Sequence, residues 1–96
     1  MKPTEGMGIT VWSGSDRYGA TVIEVYWKSK RIRFQRDTSL RTDDNGNAGP
    51  QEYAHRRNPS ADVEGASLRP DGVWRITGTD QRVELGKRES YRDPHY

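Results

Sequence analysis

The 96-residue chain contains no cysteine. That absence excludes a disulfide scaffold, a thiolate metal centre and a thiol nucleophile. Its only imidazoles, His55 and His95, lie far apart in sequence. Without cysteine partners they make a poor ligand set, so neither a metal nor a cofactor is expected. Core-forming side chains are also scarce: Val, Ile, Leu and Phe together number 14, below the fifth of the chain that ordinary globular domains exceed. No run is apolar and long enough for a signal peptide or a membrane span, which points to a soluble intracellular protein. No segment carries the three-and-four spacing of an amphipathic helix, so little or no helix is expected.

What the chain does have is aromatic and charged. Three Trp and five Tyr must supply much of the buried area, because aromatic rings carry the largest apolar payload. Sixteen basic residues against fourteen acidic ones leave a net charge of only +2, too low to drive disorder by self-repulsion. A core this thin is marginal for a lone small domain, which predicts a homo-oligomer.

Punctuation along the chain predicts one domain over residues 1–96, mainly β. Met1 to Gly8, with Pro3 and two glycines, reads as a loose lead-in, and Ile9 to Trp12 as a short strand. Ser13 to Ala20 reads as a polar, glycine-broken turn that carries Asp16 and Arg17. Thr21 to Trp27 follows as the clearest strand, with Ile23, Val25 and Trp27 on one face and Val22, Glu24 and Tyr26 on the other. Arg31 to Arg36 completes a hairpin in which Ile32 and Phe34 point inward and Arg31, Arg33 and Gln35 outward.

Residues 38–62 carry only Leu40 and Tyr53 as large apolar groups and read as a long polar loop, with Gln51 to Arg57 a candidate short strand. Beyond it, Val63 to Arg69 and Val73 to Thr77 flank the turn Pro70-Asp71-Gly72. Arg82 to Leu85 is a last strand, and residues 86–96 form a polar, aromatic-tipped tail. The expected architecture is therefore a small antiparallel sheet or partly open barrel of about five or six strands.

Charge is unevenly placed. Between Arg17 and Arg36 stand six cations, Arg17, Lys28, Lys30, Arg31, Arg33 and Arg36, against the single anion Glu24. Basic hairpins with aromatic neighbours attract phosphates and stack bases; a solvated edge that discourages aggregation would look the same. Enzyme chemistry finds little footing. Asp43 and Asp44 adjoin Asn45-Gly46, which is turn chemistry. The twelfth position from Asp43, where a calcium loop needs Glu, is Ala54. No phosphate-loop or nucleophile-elbow motif occurs. In the tail, Arg88, Tyr91, Asp93 and His95 are candidates to fold over a ligand or reach a neighbouring subunit, the bland reading being a solvated end.

Several runs together resemble a family. They are Trp12-Ser13-Gly14-Ser15-Asp16-Arg17, Ala20 to Val25, Gln35-Arg36-Asp37, Leu68 to Trp74, and the ending Tyr91, Asp93, His95-Tyr96. In order and spacing the chain is similar to small phage proteins of the Thoeris anti-defence sponge family, the first-described kind. The resemblance implies a non-enzymatic homo-oligomer in the cytoplasm of the host bacterium. Such a protein sequesters cyclic nucleotide immune signals, cyclic ADP-ribose isomers and in some members cyclic oligonucleotides, and so blocks host anti-phage defence. It further implies that Asp16-Arg17 and Asp93 line the pocket, with His95 standing where relatives are expected to carry Ser. Trp74, Tyr53 and Tyr91 are the candidates, on chemistry, for the ring that stacks the base. The alternative from the residues themselves is a small-barrel nucleic-acid-binding or interaction module that uses Arg31, Arg33 and nearby aromatics.

Overall fold

The computed structural model describes residues 2–42 and 53–88. Alternating apolar residues build a closed antiparallel barrel of six strands: β1 (Gly8–Ser13), β2 (Asp16–Tyr26), β3 (Arg31–Arg36), β6 (Val63–Leu68), β7 (Trp74–Ile76) and β8 (Arg82–Leu85). Between β3 and β6 the chain leaves the barrel as a two-stranded arm, β4 (Thr38–Arg41) paired with β5 (Tyr53–Arg56). The expected all-β fold is present, and it closes: β8 returns to β1 in the register Ile9↔Leu85, Thr10↔Glu84, Val11↔Val83. Closure removes the open edges that would otherwise template aggregation.

The thin core is concentrated on the barrel axis. Ile9, Val11, Ala20, Val22, Ile32, Phe34, Ala66, Trp74 and Val83 are buried, with Val25, Leu68, Ile76 and Leu85 packed against them. Side chains fill so narrow a barrel, leaving no channel. Residues alternating with these point outward.

Four local expectations are corrected. The turn before β2 is only Gly14-Ser15, since Ser13 already pairs with Asp16 and Trp12 with Arg17; Gly14, at φ 59°, supplies the positive dihedral that a two-residue hairpin needs. Arg17 is therefore a strand residue. In β2 a bulge between Val22 and Glu24 inserts Ile23 as an extra residue, so Val22 and Val25 both face the core and the simple alternation fails. The lead-in is tied down: Gly6 N donates to Val22 O at 2.8 Å and Pro3 is buried. The stretch 38–62, expected as a long loop with a candidate strand at 51–57, supplies both strands of the arm: β5 falls inside that candidate, and β4 is the strand that was not expected.

Candidate functional site

Parts of the outer face are covered, and the cover is built by one ion pair. Asp37, just past β3, accepts from Thr21 Oγ1 at 2.6 Å and from Arg88 Nε at 2.9 Å. Arg88 Nη2 also donates to Thr21 Oγ1 at 3.0 Å, and Thr10 Oγ1 donates to Lys87 O at 2.5 Å. Gly8 and Gly19 make room for this. A Cβ on Gly8 would lie 2.8 Å from Arg88 Cγ, and one on Gly19 would lie 2.7 Å from Cδ2 of His55, which reaches over from the arm. Arg88, a candidate for ligand contact by sequence, is thus engaged in pinning the segment after β8 across β1 and β2.

A second outer region is open. Tyr26, Arg31, Arg33, Gly65 and Thr77 line a pocket of ≈ 410 Å³ over β3, β6 and β7. Gly65 gives it a bare backbone floor: the nearest atoms to a Cβ there are Thr77 Oγ1 at 3.7 Å and Ile32 O at 3.8 Å. Arg31 and Arg33 are exposed on adjacent outward positions of β3, and the Arg33 guanidinium carbon lies 5.7 Å from the centre of the Tyr26 ring. The Tyr26 hydroxyl donates to Glu24 Oε2, and that bond, more than burial, holds its phenol above the ordinary value. Convergent guanidinium groups beside a ring that is 42 % exposed suit a ligand with anionic oxygens and a flat base.

A third region lies at the other end of β2. The Arg17 guanidinium sits 4.8 Å from the Trp12 ring centre, and that of Arg82, from β8, 5.2 Å from the same ring. The indole Nε1 of Trp12 is buried with no hydrogen-bond partner. A buried donor without an acceptor is costly in a native fold.

The sequence-predicted residues are therefore distributed. Asp16 and Arg17 sit together at the Gly14-Ser15 hairpin. Trp74 faces the core at 6 % exposure, its edge reaching a groove that Trp27, Leu68 and Arg82 also line. Arg88 belongs to the Asp37 cluster. Tyr91, Asp93 and His95 lie outside the described residues. The six-cation patch also divides. Arg31 and Arg33 flank the pocket, whereas Arg36 stands 3.7 Å from the ring centre of Tyr18 at the end of the barrel where Arg17 lies. Arg82, from the last strand, was invisible to a local reading of the hairpin; only the β1–β8 pairing brings it to Trp12. Among the described residues no group of three His, Asp or Glu is placed to hold a metal.

No known protein family, curated protein or solved structure matches this chain.

Proposed function

We propose that the protein is a non-enzymatic binder that captures a phosphorylated nucleotide on the outside of its barrel. The observation that supports this is the pocket in which Arg31, Arg33 and the exposed ring of Tyr26 converge over the bare backbone of Gly65. Two guanidinium groups grip phosphate oxygens through charge-assisted bonds, and the ring stacks the base. Acting as a homo-oligomer in the cytoplasm of a phage-infected bacterium, such a protein lowers the free concentration of a cyclic nucleotide signal, the role that the sequence resemblance implies. Arg17, Asp16 and the tail residues Tyr91, Asp93 and His95 are the further contacts of that reading.

Incubation with cyclic ADP-ribose isomers and cyclic dinucleotides, followed by filtration, tests the proposal. Capture predicts depletion of the filtrate and return of unaltered nucleotide after heat denaturation. Recovery of hydrolysed product would make the protein an enzyme, and undepleted filtrates for every nucleotide would remove the proposal.

A nucleic-acid-binding module is the second reading, and the second arginine-aromatic cluster on the same outer surface, Arg17 and Arg82 at Trp12, favours it.

A further inference from the structure

The two arginine-aromatic regions are joined by the register of the barrel. Starting from Arg31 on β3, the lateral pairings run to Ser67 on β6, from Ser67 to Arg75 on β7, and from Arg75 to Arg82 on β8. One position beyond the Val11↔Val83 pair, Arg82 meets Trp12 on β1, as its place beside that ring records, and Trp12 pairs with Arg17 on β2. All six alternate with core-facing neighbours and so belong to the outer surface. Because strands in a closed barrel are staggered, the row begins beside Tyr26 at one end of β2 and returns to the same strand at Arg17, near the other. At about 4.8 Å per strand the row is about 24 Å long at the level of the backbone, measured around the barrel.

We infer that this row is the track of a single-stranded nucleic acid that crosses the strands of the barrel, with Arg31, Arg75, Arg82 and Arg17 on its phosphates and Tyr26 at the entry stacking a base. The inference rests on the nucleotide-binding reading above and names its ligand class. One nucleotide occupies the ≈ 410 Å³ pocket at Arg31, while a row this long engages four or more, the lower range for small-barrel strand binders. Asp71 stands 3.5 Å from Arg75 and Glu84 3.7 Å from Arg82. Exposed pairs of this kind contribute little, and a guanidinium retains further donors for a phosphate.

The test is fluorescence anisotropy with labelled oligo-dT and oligo-U of two, four, eight and twelve nucleotides, a duplex of equal length, and a cyclic dinucleotide, each across a salt series. The track predicts affinity that climbs from two to eight nucleotides and a log–log salt slope of about −2 to −3 for the longer strands, from three to four phosphate contacts. Arg31→Ala and Arg82→Ala should each weaken the eight-mer by about tenfold and flatten the slope by about 0.7, whereas Arg69→Ala, off the row, should change neither. Tight binding of the cyclic dinucleotide with no gain for longer strands would overturn the track and leave the capture pocket standing. Equal binding of the duplex would overturn single-strand recognition. Loss of affinity in Arg31→Ala alone, with Arg82→Ala binding as wild type, would also overturn the track. Absence of binding to every probe would overturn the track, while the capture reading is still decided by the cyclic ADP-ribose arm of its own test.

Discussion

Arg88 and Asp37 meet across 51 residues of sequence, Nε to Oδ2 at 2.9 Å, and the Asp37 side chain has no exposed surface. The pair fastens the segment after β8 to the end of β3 over the outside of β1 and β2. It sits on threonines, Thr10 and Thr21, whose outward side chains would be solvated in an ordinary barrel and are buried here.

Removing Arg88 should destabilise the protein by about 2–3 kcal/mol. A buried carboxylate that loses its cation is costly, and the figure is kept below the range for a fully buried pair because Arg88 is more than one third exposed and Thr21 still donates to Asp37. Urea unfolding of Arg88→Ala checks this, and Arg88→Lys should recover only part of the loss, since an ammonium cannot reach both Asp37 and Thr21 with fixed geometry. An unchanged midpoint in Arg88→Ala would remove the pinning role.

Gly19→Ala should cost about 1–3 kcal/mol through overpacking, because the new Cβ meets the His55 ring at 2.7 Å. The loss should shrink when His55→Ala is present as well. A double-mutant cycle on unfolding free energy measures the coupling; strict additivity would show that the arm does not press on Gly19 in solution.

Tyr18 gives the protein an alkaline limit. Burial, more than the opposing hydrogen bond from Arg36, raises its phenol above the ordinary value near 10. The folded state then holds the proton longer than the unfolded one, so the contribution of Tyr18 is fully present below pH 10 and is lost as pH rises through the folded value. Chemical unfolding at pH 9 and pH 11 should show a drop that is smaller in Tyr18→Phe. Equal drops in the two proteins would assign the alkaline loss to other groups.

Arg33→Ala should weaken nucleotide capture about tenfold while leaving the unfolding midpoint within about 0.5 kcal/mol of wild type, as expected of an exposed side chain whose ring neighbour, Tyr26, is itself exposed. Parallel titration and denaturation of the one variant decide it. A large stability loss would instead make Arg33 structural.

The alternation of Ile32 with Phe34, and the turn chemistry of Pro70-Asp71-Gly72, where Gly72 N donates to Arg69 O at 2.9 Å, are local properties, which is why β3, β6, β7 and β8 were legible in the sequence. The bulge at Ile23 was not, because a run of apolar residues fits either phase until cross-strand pairing selects one. Half of the arm escaped notice for a related reason: β5 lies within the candidate strand at 51–57, whereas Thr38 to Arg41 has no apolar alternation and is held by pairing with Tyr53 to Arg56. For the candidate site, Arg31 and Arg33 were readable from their outward parity on one strand. Arg75 and Arg82 were not, since each is an isolated cation in its own segment and gains company only through contacts distant in sequence. Asp37 entered the sequence reading only as the end of the run Gln35-Arg36-Asp37, with no sign of its partner. A single Asp after Arg36 looks like any loop residue until a partner 51 positions away buries it.

The β1–β8 pairing also fixes when the protein comes into existence. Trp12 and Arg17 emerge early during synthesis, yet Arg82 joins them only once β8 has left the ribosome and zipped onto β1. Non-local pairings of this kind are slow to form, and they cannot form from a partial chain. A nascent or truncated polypeptide that ends before β8 therefore lacks the assembled row, whose arginines come together only when β8 closes the barrel.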